Sequence, residues 1–403
     1  MSTSLLYQAW GISGYHYRSS HYINGQVFFD LDVDWNRVYC SNCRSQHLIK
    51  RGGVTRRLRT LPIGRRPVWL RLFVPRVECR QCGCVRQVKL PFSSQKKSYT
   101  KRLERLIVEL SRLMSMRDVA LYLKVGWDLV KDVLSRWLSK RYGSPKLHKL
   151  SLIAIDEIHV GRGNRFLTIV LDLKRGAVVF VGEGKSGDAL KPFWKRLKKS
   201  GAKIQAIATD MGPAYIKAVQ DNLPEAVIVF DHFHVIKLFN EKLADLRRDL
   251  QRDAEKAEYD VLKGTRWLLL KNPENLDECR NEKERLEKAL AINKSLATAY
   301  YMKEELRTLW NQLDKPSAAT LLQSWINRAD ASGINMLKKF ARTLAKHRSG
   351  ILAYYDFRIS TGPLEATNNN IGALQRRAYG YRDMEFFKLR ILGLHEAKYA
   401  FTG

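Results

Sequence analysis

The tightest constraint on this chain is the order of apolar segments that begins at residue 151. SLIAIDEIHV reads as a strand, FLTIVLDL as a second, and AVVFVG as a third after a turn at Lys174–Gly176. A helix is expected from about Gly187 to Lys199, then a fourth strand, IQAIATD. A helix near Pro213–Gln220, a fifth strand, AVIVFD, and a helix from about Phe233 complete the series. Three consecutive strands followed by strand–helix alternation exclude a uniformly parallel, doubly wound sheet.

Acids sit at telling points of that series. Asp156 lies within the first strand, Asp210 ends the fourth and Asp231 ends the fifth. A carboxylate among apolar strand residues is costly unless hydrogen bonds or a cation compensate it. The order of strands is that of a ribonuclease-H-like domain, in which the first and fourth strands are neighbours. Asp156 and Asp210 can then meet at one end of the sheet. Converging carboxylates bind magnesium or manganese through oxygen. Two such ions, about 3.5–4 Å apart, clamp the attacking and leaving oxygens of a phosphodiester. A lone strand-end Asp is more often a turn or cap residue; three in this order point to a site. The residues alone leave Asp231 open as a second metal ligand. A third acid must come from later in the chain, and Glu365 in STGPLEATNNN is the best candidate. It stands at the start of an expected helix, where backbone amides and Asn368 can orient it. Arg376 and Arg377 follow and can hold phosphates. Taken singly, Glu365 would be an ordinary first-turn surface acid.

Five of the six cysteines fall within 45 residues. Cys40-x-x-Cys43 and Cys79-x-x-Cys82 offer four thiolates, a donor set that suits tetrahedral zinc. The gap of 35 residues between the pairs exceeds that of a typical ribbon, and a basic hairpin can fill it, since it holds KRGGVTRRLRT and GRRPVWLRLFVPR. Val68, Leu70, Leu72 and Val74 alternate with Trp69, Arg71 and Phe73, a strand pattern. Cys84 is an alternative to Cys82 as fourth ligand. Cys279 sits in a polar helical stretch. The N-terminal MSTSLLYQAWG shows no basic stretch before an apolar run, so no secretory signal is expected, and a reducing, cytoplasmic setting favours metal over disulfides.

Charge narrows the partner. The net charge is +31, and residues 1–150 carry 29 Lys/Arg against nine Asp/Glu. A block this basic attracts a polyanion, nucleic acid before an anionic membrane surface, and no apolar run reaches the length of a membrane span. SMRDVALYLKVGWDLVKDVLSRW reads as two short helices about Gly126. Ser115 caps the first, and Val119, Ala120 and Leu123 form its apolar face; Leu129, Val130, Val133, Leu134 and Trp137 form that of the second. This is a helix-turn-helix pattern, in which Lys124, Lys131 and Arg136 are the available DNA contacts. A plain helical hairpin is the blander reading, and the basic, cysteine-bearing neighbour weighs against it. Residues 240–350 are nearly strandless and rich in Lys, Glu, Leu and Arg, as in a helical insertion.

With these residues in view, the chain resembles the ISL-three family of bacterial insertion-sequence DDE transposases. VYCSNCRSQHLIKRG and LRTLPIGRRPVWLRLFVPRVECRQCGC look like its zinc segment. IAIDEIHVGRG, IATDMGPAYIKAV with DHFHVIKL, and GPLEATNNNIGALQRRAYGYRDMEFFKLRIL look like its later motifs. The resemblance implies an α/β, ribonuclease-H-like catalytic domain with an all-helical insertion, behind a zinc-binding module and a helix-turn-helix. The expected spans are 1–92 for the arm and zinc module and 93–145 for the helix-turn-helix. The catalytic domain takes 150–239 and 351–403, and the insertion 240–350. By position Asp156, Asp210 and Glu365 match the acidic triad, which implies Mg2+ or Mn2+. Asp231 and His234 match an Asp-x-x-His signature, and His234 joins the catalytic set. Ala366 and Ala373 depart from the pattern, the latter where a basic residue is expected. The implied activity is metal-dependent DNA cleavage and strand transfer. The implied partners are double-stranded DNA, both terminal inverted repeats and target, and a second copy of the chain on paired ends. A bacterial, nucleoid-associated location follows. The alternatives are a catalytically silent, domesticated DNA-binding regulator and a structure-specific nuclease of the same fold.

Overall fold

The computed structural model describes residues 5–161 and 163–394. The chain forms two compact units, Met1–Ser144 with Arg377–Tyr379, and Pro145–Arg376 with Gly380–Gly403.

In the first unit, helix α1 (Leu5–Trp10) precedes a sheet of β1 (Tyr15–Ile23), β2 (Gln26–Val33), β3 (Leu48–Ile63), β4 (Arg66–Cys79) and β5 (Val85–Gln87). The order is β1-β2-β4-β3, and β5 also pairs with β4. The alternation expected of β4 is present: Val68, Leu70, Leu72 and Val74 are at most 1 % exposed, while Arg71 and Phe73 face solvent. Leu6, Trp10, Leu31 and Leu58 complete that core. Burying one such side chain contributes about 1.5–3 kcal/mol. Three helices follow, α2 (Lys101–Leu113), α3 (Met116–Leu123) and α4 (Trp127–Tyr142). Thr100 caps α2, and Ser115 caps α3 by accepting from the Asp118 N–H at 3.2 Å. Lys124 ends α3 in the left-handed conformation, φ 52°, so the chain turns before Gly126 caps α4.

In the second unit, β6 (Leu152–His159), β7 (Phe166–Asp172), β8 (Ala177–Glu183), β9 (Ala206–Thr209) and β10 (Val227–Phe230) form one mixed sheet in the order β10-β9-β6-β7-β8. The first three strands pair antiparallel; β9 and β10 run parallel to β6. Helices α5 (Lys191–Ser200) and α6 (Pro213–Asn222) cover one face, where Ile153, Ile155 and Ile207 meet Phe193, Trp194 and Tyr215. The other face carries Ala154 and Ala208 against Leu364, Ile371 and Leu374.

After β10 the described chain is helical. Helix α7 (His232–Asp253) is followed by α8 (Lys256–Leu262), α9 (Arg266–Leu270), α10 (Glu282–Ile292), α11 (Lys294–Arg307) and α12 (Lys315–Ala331). Then come α13 (Asn335–Lys346), α14 (Arg348–Leu352), α15 (Gly362–Arg377) and α16 (Met384–Leu392). Leu243, Leu296, Leu322, Trp325 and Phe340 build a core of their own among these helices. Helix α7 runs unbroken past residue 240, so no hinge separates the sheet's last helix from the start of the helical stretch. Among the described residues no helix is long and apolar enough to cross a membrane.

Candidate functional site

The cysteine cluster follows from strand register. Leu48 pairs with Cys79 across the long β3–β4 hairpin, so the hairpin returns the second pair to the first. The gap in sequence is thereby closed in space. The Sγ atoms of Cys40, Cys43, Cys79 and Cys82 all lie within 4.8 Å of one another. Cys40 and Cys82 are 3.6 Å apart, Cys43 and Cys79 3.4 Å. A tetrahedron with Zn–S bonds of about 2.3 Å needs edges of roughly 3.8 Å, so the four thiols fit the ion closely. The backbone N–H groups of Cys43 and Asn42 pull the Cys40 thiol down to about 6. Cys84 stays outside the cluster; its carbonyl accepts the Cys79 N–H at 3.0 Å.

The helix-turn-helix residues divide. Lys124 is exposed at the turn, and Lys131 lies over the Trp127 ring at 5.5 Å. Arg136 is otherwise engaged. Its guanidinium binds Glu104 at 2.7 Å, Asp132 at 3.2 Å and the Tyr99 hydroxyl at 2.6 Å. It ties α4 to α2 and to the segment before it, and is not the free cation the sequence suggested. The sequence reading passed over Arg57 and Arg66, which stack over Trp69 at 4.8 Å and Tyr22 at 4.9 Å. Arg59 lies over Trp69 at 5.4 Å and donates to the Leu123 carbonyl at 2.9 Å, fastening the sheet to the turn that carries Lys124. Alternation of Arg57 with the buried Leu58 was the available signal.

The acids assemble on the second sheet. Ala154 of β6 pairs with Ala208 of β9, so Asp156 and Asp210, the latter just past the end of β9, come to the same end of the sheet within electrostatic reach of each other. In a parallel pair, residues at one level share a face. That face is the one α15 covers, through Leu364 and Ile371. The Asn368 amide donates to Asp156 Oδ2 at 3.1 Å, and the Glu157 N–H to Oδ1 at 2.9 Å. Asp210 Oδ1 accepts the Gly212 N–H at 3.0 Å. A Cβ at Gly212 would stand 2.8 Å from that oxygen, so a side chain there would push the Asp210 carboxylate off its position.

Burial, with Glu157 and Asp210 nearby, pushes the Asp156 carboxyl up to about 6 against the opposing pull of His234. His234, in the first turn of α7, thus stands within electrostatic reach of Asp156. Burial and Asp210 also raise Glu157, whose alternate position on β6 turns it toward Tyr215. Glu157 Oε2, Thr209 Oγ1 and Asn368 Oδ1 are buried oxygens without a partner. The carboxylate oxygens of Asp156 and Asp210, with the unpartnered Asn368 amide oxygen on the same face, are the donors a hard cation takes, so this chemistry fits magnesium or manganese.

Glu365 stands apart from the pair. It is exposed in the first turn of α15, one turn before Asn368 on the same side of the helix. Among the described residues, the cysteine set is the only group of three or more potential ligands drawn within 4.8 Å. Asn368, expected to orient Glu365, instead holds Asp156. Arg376 and Arg377 are exposed at the far end of α15.

Asp231, which the residues alone left open as a ligand, is 2 % exposed and fully engaged. It accepts from the Phe233 N–H at 3.3 Å, from His232 at 3.1 Å and from the Thr361 hydroxyl. The Thr361 carbonyl in turn accepts the N–H groups of Leu364 and Glu365 at 2.8 and 2.9 Å. Asp231 therefore anchors the start of the helix that carries Glu365.

Comparison with known proteins places these features in one lineage. A family model described as a transposase matches residues 153–391. A helix-turn-helix domain of transposase family ISL3 matches 88–138, and a zinc-finger of transposase IS204/IS1001/IS1096/IS1165 matches 37–82. The transposase for insertion sequence element IS1001 of Bordetella parapertussis is 33% identical over 358 residues, 88% of each chain. That for IS1557 of Mycobacterium tuberculosis is 28% identical over 371 residues, 85% of this chain and 82% of the other. The Drosophila P element transposase strand transfer complex overlaps 66% of this chain and 81% of that one at 14% identity, with a TM-score of 0.33, too slight to weigh. With matches running through the zinc cluster, the helix-turn-helix and the acid-bearing sheet, the chain belongs to the ISL3 family of transposases.

Proposed function

We propose that this chain is a DDE transposase that recognises the terminal inverted repeats of its own element, cuts DNA there, and joins the freed 3′-hydroxyl to target DNA. The observation that carries the reading is that β6 and the end of β9 bring Asp156 and Asp210 to one end of the sheet, with Asn368 tying the Glu365 helix to Asp156. The strand order supports a ribonuclease-H-like catalytic domain spanning 150–239 and 351–403 around the helical stretch.

Asp156, Asp210 and Glu365 would hold Mg2+ or Mn2+. When bound, the ions supply activation of the attacking oxygen and stabilisation of the leaving one. Asp156 and Asp210 give a fixed pair of oxygen ligands because the sheet sets their spacing. Asn368 and the Gly212 N–H hold those carboxylates in orientation. His234 adds an imidazole within electrostatic reach of Asp156. In cleavage, water attacks phosphorus and the 3′ oxygen leaves as a hydroxyl. In joining, that hydroxyl attacks a target phosphodiester. Each step breaks and makes one P–O bond, so no covalent protein intermediate is needed. Lys124, Lys131, Arg57 and Arg66 serve end recognition in the first unit, and Arg376 and Arg377 hold phosphates beyond Glu365. Joining two ends calls for two copies of the chain.

The test is a cleavage and joining assay on DNA that flanks this open reading frame, with Mg2+ or Mn2+, comparing wild type with Glu365→Gln. End-specific nicking and joining that vanish in the variant are expected. Specific binding without cleavage by wild type would overturn the reading in favour of a silent regulator.

A further inference from the structure

A cleft of about 670 Å3 lies in the second unit between the turn Gly187–Leu190, α5 and α6. Its walls are lysine-rich. Lys191, Lys195 and Lys198 recur at helical spacing along one stripe of α5, while Phe193 and Leu197 on the other side are buried. Lys217 of α6 also lines the cleft. Lys191 pairs with Asp188 at 2.7 Å. Lys195, Lys198 and Lys217 are exposed and enter no ion pair or side-chain hydrogen bond among the described residues. Asp221 is the one other acid among the lining residues. Trp194 is 4 % exposed, forms part of the wall, and leaves its indole N–H without a partner. The floor is tight: a Cβ at Gly187 would meet Ala218 Cβ at 3.2 Å.

The cleft shares helix α6 with the turn that holds Asp210. Helix α6 starts at Pro213, and the preceding Gly212 holds Asp210 by its N–H. Lys217 lies one turn further on, about 6 Å along the axis. We propose that this cleft binds the phosphodiester backbone of duplex DNA and guides it to the Asp156–Asp210 end of the sheet. The proposal rests on the transposase reading and adds a DNA contact outside the zinc module, the helix-turn-helix and the acids. The chemistry argues for backbone over bases. Lysines act as point charges suited to phosphate. Among the described residues no arginine lines the cleft to read a base edge, and the Trp194 ring is packed against Phe193 at 5.0 Å, closed to the stacking that single strands use.

The duplex has two sources, sequence next to the element end or target DNA, and two arms separate them. The full chain is compared with a Lys195→Ala, Lys198→Ala, Lys217→Ala variant on end-bearing DNA and on an unrelated duplex. Losing three phosphate contacts should flatten the plot of log affinity against log salt by between about 2 and 3. A second variant, Lys217→Cys, should crosslink to a thiol-tethered duplex. A flatter slope on the unrelated duplex, with joining of pre-cut ends down at least tenfold and cleavage kept, assigns the cleft to target DNA. A flatter slope on end DNA alone, with cleavage lost, assigns it to the flank of the element. Unchanged slopes on both duplexes without crosslinking overturn the proposal. A flatter slope in a protein whose wild type never cleaves keeps the cleft and overturns the transposase reading instead.

Discussion

The cysteine cluster and the acid site solve the same problem, gathering ligands from distant sequence, in opposite ways. The β3–β4 hairpin closes all four thiols to within 4.8 Å, and each CxxC turn is fixed by the register beside it. The second sheet brings only Asp156 and Asp210 to one end, and leaves Glu365 exposed at the start of a separate helix. A structural metal wants a closed, complete shell; a catalytic one needs an opening for substrate. The cluster thus stabilises the fold it belongs to, whereas the acid site is a cost the fold carries, visible in the raised Asp156 and the unpartnered oxygens around it.

The largest break in that comparison should come at the cluster. Cys40→Ser or Cys79→Ser should abolish zinc binding and unfold the β3–β4 region, since structural zinc supplies on the order of 10 kcal/mol of folding free energy. Metal analysis with hydrogen exchange would show it, and protection of β6 and β9 should persist. A variant that keeps a protected β4 without zinc contradicts a structural role.

Next in size is Asp231. Asp231→Asn should destabilise the second unit by about 3–5 kcal/mol, because it disrupts a buried, charge-assisted network at the start of α15. Thr361→Val, which removes one partner only, should cost about 1–2 kcal/mol and lower cleavage while Asp156 and Asp210 are intact. Equal stability of Asp231→Asn and wild type in urea would make it a free site residue after all.

Asp156 should behave in the reverse sense. A carboxyl raised from 3.8 to about 6 ionises at lower pH unfolded than folded, so stability falls as pH rises through that window and stays low above it. Without added divalent cation, Asp156→Asn should therefore be more stable than wild type at pH 7 by on the order of 1–3 kcal/mol, and near equal at pH 4. A variant less stable at both pH values would assign Asp156 a structural role.

The smallest effects concern the helix-turn-helix. Lys124→Ala should lower the salt slope of DNA binding by about one phosphate contact at unchanged melting temperature. Arg136→Ala should do the opposite, lowering stability by about 1–3 kcal/mol as Glu104, Asp132 and Tyr99 lose their shared partner. Calorimetry beside a salt titration separates the two, and interchanged outcomes would restore Arg136 as a contact.

What was legible in the sequence followed local periodicity. β4 alternates cleanly, β6 carries an acid amid apolar residues, β9 runs into one, and Ser115 with Gly126 brackets α3, so these elements announce themselves. β1 did not, because YHYRSSHYI is an edge strand exposed along nearly its whole length and so carries no apolar stripe. The CxxC pairs declared a zinc site but not its closure, which depends on the Leu48–Cys79 register of a long hairpin. That Asp156 and Asp210 come to one end of the sheet follows from strand order. The distant partners of Asp231, Arg136 and Asn368 do not, since Thr361, Glu104, Tyr99 and Asp156 each lie at least 32 residues away and no local pattern encodes the packing that brings them in.

The most direct test of the central claim, that the acid site is open where the thiolate site is closed, is manganese binding by electron paramagnetic resonance on protein that retains its zinc. The account predicts binding by wild type, loss in Asp156→Asn and in Asp210→Asn, and no change in Asp231→Glu. Binding that survives in both Asp156→Asn and Asp210→Asn would contradict it.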